Sequence, residues 1–103
     1  MYVNVDPAAG TATLEDAEVF TAFHVCAPDG LPVADVVAAL GELGKACDAD
    51  EHVWVSATGV RALAAGSVGP DWDTGFEGML GYARSKGWTD ESGEWVQAHI
   101  ERT

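Results

Sequence analysis

Glu94-Trp95-Val96-Gln97-Ala98-His99-Ile100-Glu101 is the stretch on which the fold turns. Val96, Ala98 and Ile100 alternate as on a strand with one covered face. Trp95, Val96, His99 and Ile100 would equally line one side of a helix. The run Asp90-Glu91-Ser92-Gly93 just before it is turn chemistry. A turn followed by alternation favours the strand.

Upstream, Trp72, Phe76, Met79, Leu80 and Ala83 recur at helical spacing between about Asp71 or Gly75 and Lys86. Thr74 and Glu77 have capping-box spacing, and Gly87 suits the position after a helix. Gly66-Ser67-Val68-Gly69-Pro70 separates this helix from a shorter one. The shorter one is capped by Ser56 or Thr58 and runs to about Ala65, with Val60, Leu63 and Ala64 inward. His52-Val53-Trp54-Val55 is a short strand behind the charged loop Asp48-Ala49-Asp50-Glu51.

Val33, Val36, Val37, Leu40, Leu43 and Cys47 predict a further helix. Gly41 and Gly44 weaken it by about 1 kcal/mol each relative to Ala. They would also let another element approach closely. Residues 18–27 are β-branched and aromatic and predict a central strand. Val19, Thr21, Phe23 and Val25 fall on one face, and Phe20, Ala22, His24 and Cys26 on the other. Val3 and Val5, the turn Asp6-Pro7-Ala8-Ala9-Gly10 and Thr11-Ala12-Thr13-Leu14 predict a hairpin.

The order is ββ, β, α, β, α, α, β. It predicts one compact domain over 1–103 of the α+β class. The expected form is a small two-layer sandwich: a largely antiparallel sheet with about three helices on one face. Strand 18–27, its helix and strand 52–55 could form a right-handed βαβ crossover.

Seventeen Asp and Glu stand against five Lys and Arg, a formal charge of −12. Phosphate backbones and anionic membranes need clustered cations, so neither nucleic acid nor a membrane is an expected partner. No basic start with a following apolar run suggests a signal peptide, and no stretch is apolar over the ~18 residues of a membrane span. Cys26 and Cys47 are too few for a secreted disulfide scaffold, so reduced thiols and a cytoplasmic setting are expected. Richness in Ala, Gly, Val and Asp is compatible with a GC-rich bacterial genome.

Most local motifs fail. Gly41-Glu42-Leu43-Gly44-Lys45 lacks the first Gly and the Ser or Thr of a phosphate loop. Asp48-x-Asp50-x-His52 and Asp71-x-Asp73-x-Gly75 lack the Gly and Glu that complete a calcium loop. A zinc site drawing on His24, Cys26, Cys47, His52 and His99 matches no known module spacing. No metal and no cofactor is therefore expected.

His24, Cys26 and His99 remain as weak catalytic candidates. His24 and Cys26 are two apart on a strand and share a face, but they sit side by side rather than in attack geometry. The bland alternative places both at the sheet–helix interface. Four Trp in one small domain are the better lead. Trp54, Trp72, Trp88 and Trp95 are candidate ligand or interface residues, because indoles at element ends line clefts and contacts. They would equally plug the ends of a small core.

The expected function is a non-catalytic binding or accessory domain, acting on a protein partner or its own copy. The alternative is a small enzyme of isomerase, lyase or hydrolase type, with an aromatic-lined pocket for a small molecule and a His or carboxylate as general acid or base. A third reading is a decoy whose carboxylates mimic nucleic-acid charge.

Overall fold

In the computed structural model, which describes residues 1–103, the first hairpin pairs β1 (Tyr2–Asp6) with β2 (Thr11–Glu15). Ala9 N–H donates to the Asp6 carboxylate at 3.2 Å, and Gly10 closes the turn at φ 67°. β3 (His24–Ala27) lies on the other side of β1, parallel to it. The chain continues through α1 (Val33–Leu40), β4 (Gly44–Ala46), β5 (His52–Ser56), α2 (Ala57–Ala64) and α3 (Trp72–Ser85). It ends in β6 (Trp95–Arg102), the strand expected over 94–101.

One six-stranded sheet results, in the order β2-β1-β3-β6-β5-β4. It is mixed: three of its five ladders are antiparallel, while β1–β3 and β3–β6 are parallel. The expected βαβ crossover is absent. β6 inserts between β3 and β5, parallel to the first and antiparallel to the second. The last strand to be made therefore completes the centre of the sheet.

The predicted strand 18–27 is regular only over its final four residues. The reason lies in its neighbours. The β1 ladder begins at Tyr2 opposite His24, so residues before 24 find no continuing partner there. On the other flank, Thr89 bridges Val96 and the Trp88 carbonyl accepts from Gln97 N–H at 2.7 Å. Residues 88–89 occupy the edge of β6 that residues 20–23 would need. Phe20 instead leaves the sheet and packs on α3, where a Cβ at Gly75 would lie 2.3 Å from its ring.

α1 is shorter than the periodicity implied. The chain leaves the helix at Gly41 (φ 59°), makes a 3₁₀ turn over Gly41–Leu43 and enters β4. Gly44 fits the strand that follows: a Cβ there would meet Leu40 Cδ1 at 2.5 Å and the Trp54 carbonyl oxygen at 3.2 Å. The glycine permits the close approach of β4 to β5. Cys47 accordingly follows a strand rather than ending a helix.

α2 is capped twice. Ser56 Oγ accepts from Gly59 N–H at 3.0 Å, and Glu94 accepts from Thr58 N–H at 2.7 Å and Thr58 O–H at 2.8 Å. α3 starts at Trp72, so Thr74 lies inside it and the expected capping box does not form. Glu77 pairs with Arg61 of α2 instead.

The core is wholly apolar. Val3, Val5, Val25, Ala27, Val53, Val55, Val96, Ala98 and Ile100 supply the sheet side, and Val36, Leu40, Val60, Trp72, Phe76 and Leu80 the helix side. These strand positions all lie on one face. The opposite face carries no helix and keeps its side chains half-buried or exposed. This is the expected two-layer α+β arrangement, with an open sheet face. No helix is long and apolar enough to cross a membrane.

Candidate functional site

All three histidines stand on that open face. Alternation puts Tyr2 of β1, His24 of β3, His99 of β6 and His52 of β5 there. The ladder registers bring them level. Tyr2 pairs with His24 and His52 with His99, while His24 sits one residue before the Val25–Ile100 pair. Adjacent strands lie about 4.8 Å apart, so the rings form a row. Centroid separations are 5.0 Å for Tyr2–His24, 5.5 Å for His24–His99 and 6.4 Å for His52–His99.

Glu101 closes the centre of this row. Its Oε2 lies 2.7 Å from His24 Nε2, and its Oε1 lies 3.5 Å from His99 Nε2. His24 is the more covered imidazole, with a side chain 18% exposed against 50% for His99. Burial pushes the His24 pKa below its ordinary value, against the pull of Glu101 and with help from His99. His24 is therefore neutral near pH 7, and its Nε2–H donates to the carboxylate. His52 is fixed separately, with Nδ1 2.7 Å from the Asp50 carbonyl oxygen.

A pH dependence follows. The folded pKa of His24 lies below its unfolded value of about 6.5. Its contribution to stability is full above that value and is lost as pH falls through the folded pKa. The urea midpoint is expected to decline as pH falls, first below about 8 through the Met1 amino group, whose pKa burial lowers, and then below about 6.5 through His24. Glu94 and Asp90, held below the ordinary carboxylate range by hydrogen bonds from Thr58 and Ser92 respectively, lose their contributions only at lower pH. His24→Gln should flatten the part of the decline that begins below about pH 6.5; an unchanged slope there in that variant would refute the assignment.

Beside the histidine row lies a hollow of about 410 Å³. Phe23, Tyr82 and Trp88 wall it, and His52, Gln97 and His99 border it from the sheet. A narrower apolar cleft of about 100 Å³, sharing Phe23, Tyr82, Trp88 and Gln97, runs in towards Leu80 and Val96. Tyr82 and Trp88 are 58% and 45% exposed and meet edge to face at 6.0 Å. A larger hollow of about 520 Å³ lies on the helix side, but Glu42 is its sole titratable group. Polar groups converge only weakly there, so the smaller hollow is the better candidate.

The Trp set divides. Trp88 borders the hollow, and Trp54 and Trp95 lie half-buried on the open face, Trp95 beneath Lys45 Nζ at 4.3 Å. Trp72 does not belong with them. It is 6% exposed, stacks on Phe76 at 4.8 Å and donates its indole N–H to the Ala17 carbonyl at 2.6 Å. Its apolar body fills the core, and its polar edge is satisfied there.

His24 and Cys26 share a face, as alternation implies, but it is the open one rather than the sheet–helix interface. The His24 Nε2 is directed to Glu101, not to the Cys26 thiol. Both cysteines are free, and Cys47 Sγ accepts from Gln97 Nε2 at 3.1 Å. Sequence reasoning missed Glu101, Gln97 and Tyr82. His99-x-Glu101 on a strand was a usable signal for the first, since residues two apart share a face.

No family model matches this chain, and neither the curated proteins nor the solved structures contain a significant match to it.

Proposed function

We propose that this domain binds a small organic molecule in the hollow between the histidine row and Trp88. The observation that carries the reading is the convergence of three aromatic walls with His52, Gln97 and His99 around a space of about 410 Å³. That volume is of the order of ordinary ligand pockets, ~300–1,000 Å³. A charge of −12 disfavours anionic ligands, so the ligand is neutral or cationic and partly aromatic. The same charge supports exclusion of nucleic acid. Two unpaired thiols support a cytoplasmic, reducing location. The acid–base alternative uses the same hollow, with His99 as the imidazole on its wall and Glu101 as the carboxylate behind it.

A second reading is self-association through the rest of the open face. It is favoured by the half-buried rings of Trp54 and Trp95 on that face, where Trp54 pairs across the strands with Lys45 and Gln97 and Trp95 with Ser56. On so acidic a molecule, a patch whose cross-strand partners carry no carboxylate is where two copies approach with least repulsion.

Indole and benzamidine, one neutral and one cationic, are suitable probes. Titrated into the ¹⁵N-labelled protein, at least one is expected to move the Trp88 indole and Gln97 amide signals saturably. Trp88→Ala should weaken the response about tenfold or more, in keeping with loss of a buried aromatic contact. Neither probe shifting those signals at millimolar concentration would count decisively against the pocket. Sedimentation at several concentrations reads the second proposal directly: a monomer throughout excludes it.

A further inference from the structure

The geometry points to a divalent transition-metal site formed by His24, His99 and Glu101. The three donor groups come from neighbouring parallel strands, and all their ligand atoms lie within 4.8 Å of one another. Two imidazoles and one carboxylate suit zinc and its first-row neighbours better than calcium or magnesium, which prefer all-oxygen sites. Neither cysteine nor His52 belongs to the group. The spacing of His and Cys in the sequence predicts no metal, and it is Glu101 that completes the set.

The distances are near those required. Tetrahedral zinc with bonds of about 2.0–2.1 Å needs donor atoms about 3.3 Å apart. The Glu101–imidazole separations, 2.7 Å from Oε2 to His24 and 3.5 Å from Oε1 to His99, bracket that value with a different carboxylate oxygen at each ring. Every donor pair lies within 4.8 Å, so side-chain rotation has at most about 1.5 Å to close to reach that spacing. A bound ion would replace the His24 Nε2 proton, which the carboxylate now accepts, and would link the two rings through positive charge. Three protein ligands leave a coordination position open. His99 also borders the hollow. The strongly acidic surface raises the local concentration of any cation.

This inference does not rest on an organic ligand in the hollow, because a domain without one would offer the same three donors. The test is calorimetric titration of tag-free protein with Zn²⁺ at pH 7.5, with a chromophoric chelator in competition. One equivalent should bind, and millimolar Mg²⁺ should not displace it. His24→Gln, His99→Gln and Glu101→Gln should each lose more than about tenfold in affinity. His52→Gln and Asp48→Asn, outside the group, should stay within about threefold. Co²⁺ in place of Zn²⁺ should give a visible d–d band that the three ligand variants alter.

Absence of saturable Zn²⁺ binding in the wild type would overturn the site. So would unchanged affinity in the two His variants, or displacement by Mg²⁺, which would mark nonspecific attraction to carboxylates. Should a variant unfold, ¹⁵N spectra of the wild-type imidazoles decide. Zn²⁺ must move the Nε2 signals of His24 and His99 and leave His52 in place.

Discussion

Phe76→Ala is expected to lower the free energy of unfolding by about 3–5 kcal/mol. Phe76 is 1% exposed and is the largest side chain buried so completely. Its ring stacks on Trp72 at 4.8 Å and lies under the Arg61 guanidinium at 5.0 Å. Truncation removes the transfer free energy of the ring and leaves a cavity whose walls are held by two helices. Arg61 also pairs with Asp73 and Glu77, so it ties α2 to α3 at the same point. Domains of this size have about 5–15 kcal/mol in total, so the variant should be close to unfolding at room temperature. Phe76→Leu keeps more of the volume and should cost less than half as much. Urea titration followed by Trp fluorescence measures both. A loss below about 1.5 kcal/mol for the Ala variant would mean that α3 is not integral to the core.

Arg102→Met should cost about 2–3 kcal/mol although the residue stands at the end of the last strand. Its Nη1 donates to the Pro28 carbonyl at 3.1 Å and the Leu31 carbonyl at 2.6 Å. Its Nε and Nη2 each reach the Glu51 carboxylate at 3.1 Å. The ion pair by itself contributes little, since Glu51 is 48% exposed. The weight lies in the two carbonyls, each accepting a charge-assisted bond. One planar fork thereby joins β6, the turn before α1 and the loop before β5. Lys offers a point charge without the fork, so Arg102→Lys should recover only part of the loss. The urea midpoint of Arg102→Met is the measurement, and one equal to wild type would show the fork to be dispensable.

The identity of most elements was legible locally. Val96, Ala98 and Ile100 alternate, and they are buried on one side of β6 as that pattern requires. Trp72, Phe76 and Leu80 recur at helical spacing, and they bury one stripe of α3. Element ends were less legible. Helix periodicity ran past Leu40 to Cys47, because the residues of β4 and its 3₁₀ turn happen to keep apolar positions in step. The helix stops at Gly41, whose φ of 59° lies outside the helical range, and Gly44 then admits the close approach of β4 to β5. Residues 18–23 have strand composition and form no strand, because residues 88–89 hold the edge they would pair with.

The candidate site was legible as a set of residue types, not as a place. His24 and His99 were singled out while their neighbours were unknown. Trp88 and Trp72 looked alike as indoles near helix ends, yet one borders a hollow and the other fills the core. What separates them is that Trp72 lies on the buried stripe of α3 whereas Trp88 follows its end, beside the edge of β6, a matter of packing rather than of local pattern.

The chain by itself determined its acidic surface, its two-layer class and the alternation of Val96, Ala98 and Ile100 that puts His99 on the other face of the last strand. Those properties depend on side-chain type and a backbone period of two or 3.6 residues, and both are local. Tertiary structure alone decided that β6 lies between β3 and β5 and that the three histidines share one row. Strand order depends on which distant edges pair once the core valines are buried, and no short window of sequence contains that choice.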